Sequence, residues 1–163
     1  MYSESIEAET EGYEDMGSFN HGYVQIRLGV LLDRLGKYTP IGELSLDVSG
    51  IDLSKYGLSA KEEIKPDISL YPKRGLFRPS DILRMKEMPL LVIEILSPRQ
   101  GVYDIVEKFK VYFDLGIKSC WLVEPIINTV TVYSAIDNYR TYSSGEVLDD
   151  KLEIRLSLAE IFA

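Results

Sequence analysis

The chain has one cysteine and one histidine among its 163 residues. Structural zinc sites draw on about four Cys and His ligands and zinc hydrolases on two or three, so zinc fingers and H-E-x-x-H proteases are excluded. Serine chemistry survives only with His21 as its base, and neither a G-x-S-x-G elbow nor a Walker-type G-x-x-x-x-G-K-[ST] loop occurs. There is no run of 18 apolar residues, and the start lacks a basic segment followed by an apolar one. That leads us to expect a cytoplasmic protein with no membrane span. Cys120, alone between Ser119 and Trp121, is expected as a buried strand thiol rather than a nucleophile or half of a disulfide. Any chemistry must therefore lean on carboxylates, lysine or a hard metal ion.

Basic side chains are also scarce, 18 against 26 acidic, for a net charge of −8. Net acidity opposes nucleic acid binding, since Lys and Arg supply most nonspecific affinity for phosphates. The distribution weakens the objection. Residues 1–15 carry Glu4, Glu7, Glu9, Glu11, Glu14 and Asp15 without a basic residue, so the remaining chain stands at only −2. Between Pro72 and Met88 the balance is +3, from Lys73, Arg74, Arg78, Arg84 and Lys86 against Asp81 and Glu87. That segment is either a solvated loop or a phosphate-contacting one.

What remains is enough for one domain. About 70% of the unfolded chain's surface can be buried at this length, so a core forms without disulfide or metal staples. We expect an acidic, mobile segment over 1–18 and a single domain over 19–163. Apolar spacing at Val24, Leu28, Leu31, Leu32 and Leu35 predicts a helix over 19–36, capped by Ser18 or Asn20. A strand is expected at Glu43–Val48, an irregular or hairpin excursion at Gly50–Lys65, and a short strand at Ile68–Tyr71. Pro89 to Ser97 reads as a central strand buried on both faces, Gly101–Leu115 as a helix, and Lys118–Glu124 as another buried strand. Thr129–Ala135 and Tyr139–Ser143 read as a hairpin, and Ser157 to Glu160 as the capping box of a last helix. One mixed sheet with helices packed on it accounts for this order.

Glu94 is the residue that conflicts with its surroundings, because an ionised carboxylate inside an apolar strand costs several kcal/mol unless partnered. Either it salt-bridges a helix lysine at a polar edge, or it is a metal ligand or acid/base group. Asp67 opens the preceding core strand directly after Pro66. It is either a turn residue or, if the two strands are neighbours, a second oxygen ligand beside Glu94 for one divalent cation such as Mg²⁺. Lys108 lies at the border of the following helix's buried face, where it could pair with Asp104 or reach back to the sheet. His21, in the first helical turn, is either a surface or packing residue or faces a cleft at the sheet's end.

Pro66-Asp67, then Glu94-Ile95-Leu96 after a gap of 26 residues, then Lys108, resemble the PD-(D/E)XK nuclease superfamily. Longer blocks are similar to the Uma-two family of restriction-endonuclease-like proteins. These are Pro66-Asp67-Ile-Ser, Pro89-Leu-Leu-Val-Ile-Glu-Ile-Leu-Ser-Pro98, Asp104-x-x-x-Lys108-x-x-x-Tyr112, and Gly116 with Cys120-Trp-Leu-Val-Glu-Pro125. The likeness runs from about residue 19 to the end. It implies a restriction-endonuclease-like α/β core with a mixed central sheet, and a Mg²⁺- or Mn²⁺-dependent DNA endonuclease without an organic cofactor; because cutting both strands favours two symmetric sites, we expect a homodimer. It further implies that Asp67, Glu94 and the carbonyl of Ile95 hold the metal. Lys108 would be catalytic, in place of the lysine many relatives carry where this chain has Leu96, and His21 accessory. Lys73, Arg74 and Arg78 would contact the DNA backbone. The second reading is a catalytically silent nuclease-fold module that binds DNA or protein.

Overall fold

A computed structural model describes residues 17–57 and 63–163. The acidic segment expected as mobile lies, up to residue 16, outside the described residues. Helix α1 spans Phe19–Arg34, its start fixed by the Ser18 hydroxyl accepting the His21 N–H at 3.2 Å. Gly36, at φ +76°, turns the chain out of the helix.

The strand that follows is not the one the alternation suggested. Edge strand β1 is Tyr38–Gly42, and Glu43 at φ 52° breaks it. Of the expected Glu43–Val48 only Leu46–Asp47 (β2) is a strand, paired with Glu63–Ile64 (β3). Pro40 obscured β1 in the sequence, but an edge strand is where a residue without an N–H is tolerated. After β2 a single 3₁₀ turn, Leu53–Tyr56, lies within the expected excursion.

Strands β4 (Ile68–Pro72) and β5 (Leu91–Ile95), helix α2 (Val102–Asp114), and strands β6 (Ser119–Glu124), β7 (Thr129–Ala135) and β8 (Asn138–Tyr142) follow expectation closely. They form one six-stranded sheet in the order β1-β4-β5-β6-β7-β8. Only β5 and β6 are parallel, and α2 supplies the crossover that a parallel pair requires. A hairpin absent from the sequence reading, β9 (Glu146–Asp149) with β10 (Ile154–Ser157), precedes the last helix α3 (Leu158–Phe162). The Ser157 hydroxyl accepts the Glu160 N–H at α3's start.

Side chains alternate between the sheet's two faces. Leu91, Ile93, Ile95, Trp121 and Val123 pack under α1, α3 and the β9–β10 hairpin. Val92, Cys120 and Leu122 face the other way, with Ile105, Phe109 and Tyr112 of α2 and with Leu46, Leu53 and Met85. All five β5 residues are buried, and Cys120 is the buried free thiol expected. Among the described residues no helix is long and apolar enough to cross a membrane.

Candidate metal and catalytic site

Strand register brings the two carboxylates together. The antiparallel β4–β5 ladder pairs Ile68 with Ile93, so its next rung sets Asp67 opposite Glu94. Both lie on the face covered by α2. Glu94 is 4% exposed, and Oε1 accepts the Tyr112 hydroxyl at 2.7 Å. Asp67 Oδ2 accepts the Ile95 N–H at 2.7 Å, and Oδ1 lies 3.1 Å from His21 Nε2. The main-chain carbonyl of Asp67 takes two more donors, Gln25 Nε2 at 2.9 Å and the Glu43 N–H at 3.2 Å. Asp67 is thereby fixed from α1, from the end of β1 and from β5.

Charge follows from this geometry. Burial, and then the charge of Asp67, push the Glu94 carboxyl well above the usual carboxylate range, against the opposing pull of Lys108 and the Tyr112 bond. The hydrogen bond to Asp67 raises His21 despite its burial, with the charges of Asp67 and Glu94 acting in the same direction. Burial and Glu94 drive the Tyr112 hydroxyl well up. The site thus sets two adjacent carboxylates, one of them buried, against His21 and Lys108, and at such a pair burial favours a retained proton or a bound cation.

Lys108 sits half-buried one turn before Tyr112 and acts on Glu94 through its charge. Neither the Asp104–Lys108 pair nor a Glu94–lysine salt bridge forms among the described residues. Lys73, Arg74 and Arg78 are not brought to the carboxylates in this way. They leave the opposite end of β4, about 20 Å from Asp67 for Lys73 at the rise of an extended strand. Arg74 is held by Glu87 in a two-pronged pair at 3.0 and 2.8 Å and lies over the Tyr71 ring, while Lys73 and Arg78 are exposed. Further along the loop, Met85 exchanges main-chain bonds with Ser45 and Asp47. Arg84 and Lys86 lie near enough to lower the Asp47 carboxyl, after its bonds from Ser49.

Sequence reasoning missed two of the site's residues. Tyr112 was legible only as a core aromatic, although its place four residues after Lys108 puts both on one helical face. Gln25 carried no signal, because its partner is a main-chain carbonyl. A cavity of about 220 Å³ opens between the ends of β5 and β6 and the start of α1, lined by Ser18, Asn20, Leu96, Pro98, Glu124 and Ile127 among others and by neither carboxylate of the pair.

The family described as "Uma2: Putative restriction endonuclease" matches residues 10–161. The chain belongs to the Uma2 family. The resemblance read from Pro66 to Pro125 is therefore borne out. Among solved structures, this Uma2 chain is similar to a crystal structure described as "a putative nuclease belonging to DUF820" from Anabaena variabilis. The two are 20% identical, with a TM-score of 0.67 over 90% of this chain and 82% of that one, a likeness that shows the fold. No curated protein matches.

Whether the Uma2 site suits a cation turns on its donors. No cluster of three or more His, Cys, Asp or Glu side chains capable of holding a metal occurs among the described residues. The two facing carboxylates are nevertheless hard oxygen donors, one of them buried without a salt bridge of its own. Mg²⁺ is commonly bound through one or two carboxylates with waters, and the residues present fit such an ion.

Proposed function

We propose that this Uma2 protein is a Mg²⁺- or Mn²⁺-dependent endonuclease hydrolysing DNA phosphodiester bonds, acting in the cytoplasm as a homodimer. The observation that supports it best is the Asp67–Glu94 pair, a buried carboxylate set against a second one with Lys108 alongside. Asp67, Glu94 and the main-chain carbonyl of Ile95 would hold the ion. When bound, it lowers the pKa of a coordinated water and stabilises charge on the phosphate. Tyr112 fixes one oxygen of Glu94 and leaves Oε2 for the ion. His21 holds Asp67 through Oδ1 and is its accessory positioning group. Lys108 offsets the negative charge that a phosphate adds to this pocket. Lys73, Arg74 and Arg78 would meet the DNA backbone about six nucleotides from the scissile bond, since 20 Å is about that many steps of duplex.

One observation favours the second reading, a silent nuclease-fold module. The body of the chain is nearly neutral, and Arg74, central in its basic loop, is already neutralised by Glu87. Calorimetric titration of Mn²⁺ into wild type, Asp67→Asn and Glu94→Gln separates the two, followed by nicking of supercoiled plasmid in Mg²⁺. We expect binding and nicking by wild type, and neither by the variants at unchanged circular dichroism. A wild type that binds no Mn²⁺, with or without DNA, leaves the silent module.

A further inference from the structure

We propose that the outward face of α1 is a self-association surface, on which a second copy of this chain lays its own α1 parallel, along a two-fold axis. This rests on the dimer in the proposed function and gives it a surface, while its test requires no cleavage.

Helix α1 is apolar on two sides. Val24, Leu28, Leu31 and Leu32 face the core. At 100° per residue, Phe19, Tyr23, Ile26 and Val30 fall within an arc of about 60° on the opposite side. They are 86%, 40%, 71% and 42% exposed. A solvated helix face is ordinarily polar, whereas intervals of four, three and four residues are those of a helix-pairing seam.

A second observation concerns Gly22 and Gly29, one heptad apart on a flank of that seam. A Cβ added at either would meet nothing within 4 Å, so packing within the chain gives no reason for glycine there. Glycine inside a helix is less favourable than alanine, so its presence there asks for another reason. Against a neighbouring helix at an axis separation of about 8–10 Å, the missing side chains let the backbones approach.

Area and charge both favour a second copy. The four side chains expose roughly 450 Å² per chain, more than half of the about 800 Å² that each partner contributes to an ordinary interface. Asp33 lies on the glycine flank, with Arg27 and Arg34 on the other. An axis parallel to the helices brings unlike flanks together, Asp33 of each copy against Arg34 of the other, whereas antiparallel pairing sets the arginines against each other. Parallel pairing also places the two His21 residues, one in each first turn, at the same end of the dimer, where two strands of one duplex can be met.

Sedimentation equilibrium of the full chain at micromolar concentration tests this. Wild type is expected as a dimer. Ile26→Glu, at an exposed position and with circular dichroism unchanged, should weaken it roughly 30-fold or more. Asp33→Arg alone and Arg34→Asp alone should each weaken it, and mixing the two variants should restore a heterodimer. A monomeric wild type, whatever else covers the face, or a dimer indifferent to Ile26→Glu, overturns the surface. Failure of the mixture to recover overturns the parallel arrangement.

Discussion

Replacing Glu94 by Gln should stabilise the metal-free protein while removing the cation site. Glu94 is buried opposite Asp67, and its carboxyl is raised from 4.5 to about 8, by burial first and the Asp67 charge second. The sign follows from proton binding. Between pH 4.5 and about 8 the folded carboxyl keeps a proton that the unfolded one has released, so stability is intact below 4.5 and falls as pH rises through that window. Each pH unit is worth about 1.4 kcal/mol, so wild type in EDTA should lose on the order of 2–3 kcal/mol between pH 5 and pH 7 through this group. His21, also raised, contributes in the same direction, its stabilisation lost as pH rises through its folded pKa above 6.5. The quantity to read is therefore the difference between wild type and Glu94→Gln. Gln keeps the volume and the bond to Tyr112 but cannot ionise. Urea denaturation in EDTA at half-unit steps from pH 5 to 8 should give curves that diverge with pH, the variant becoming the more stable. Two curves that run parallel would refute the argument, because they would mean that Glu94 ionises in the folded state as freely as in the unfolded.

The single imidazole gives a direct probe of the same cluster: the His21 Hε1 proton should titrate above pH 6.5 by NMR, fall toward 6.5 in Asp67→Asn, and fall on addition of Mg²⁺. Titration at or below 6.5 in wild type would remove the His21–Asp67 bond. Asp149, 2% exposed, accepts Trp121 Nε1–H at 2.9 Å and the Leu152 N–H at 3.2 Å on the far face of the sheet. Asp149→Ala should cost about 2–3 kcal/mol in urea denaturation by stranding both donors, with Mn²⁺ affinity unchanged by calorimetry. In fluorescence anisotropy between about 50 and 200 mM salt, Arg78→Ala should lower the slope of DNA binding by about one. Arg74→Ala should lower it by less, because that guanidinium gives up its pair with Glu87 on meeting a phosphate.

The parts of this fold that could be read from residues alone are those whose burial is complete. Leu91–Ile95 and Ser119–Glu124 sit in the sheet's centre, where both faces demand apolar side chains, and so one carboxylate among them stood out. The same logic fails at the margins. Edge strand β1 is only half-buried along its length, carries a proline, and takes its definition from β4 rather than from its own pattern. The β9–β10 hairpin exists because Val147, Ile154 and Leu156 complete the core under the sheet, a demand set by distant residues. At the site, Asp67 and Glu94 were legible because a charge in a core strand must be partnered. Gln25 and Tyr112 were not, since an amide on a carbonyl and a hydroxyl on a carboxylate leave no imprint on hydropathy. Lys73 and Arg74 stood out through composition, but charge density along the chain does not say from which end of a strand a loop departs, so their distance from Asp67 was not legible.

Lys108 shows what the site requires of its lysine. Position 96 continues the alternation of β5, so Leu96 shares the face of Glu94 and packs with that face's apolar side chains, its N–H fixed to the Val123 carbonyl at 2.8 Å. A lysine there would stand in the same layer as the carboxylate. Helix α2 covers this layer, and Tyr112, the residue that reaches Glu94, marks the turn of the helix that lies over it. One turn back along that helix, Lys108 therefore acts on Glu94 from above, where a strand lysine would act from alongside. The layer between β5 and α2 fixes the constellation, and a cation can enter it from either wall. It follows that transplanting the lysine, Leu96→Lys in a Lys108→Ala background, should restore the pull on the Glu94 carboxyl that Lys108→Ala alone removes. The readout is the pH dependence of stability in EDTA, whose decline should run on to higher pH in the single variant and end back toward the wild-type pH in the double. A double variant whose decline runs as far as the single one's would mean that the helix position, not the shared layer, is what counts.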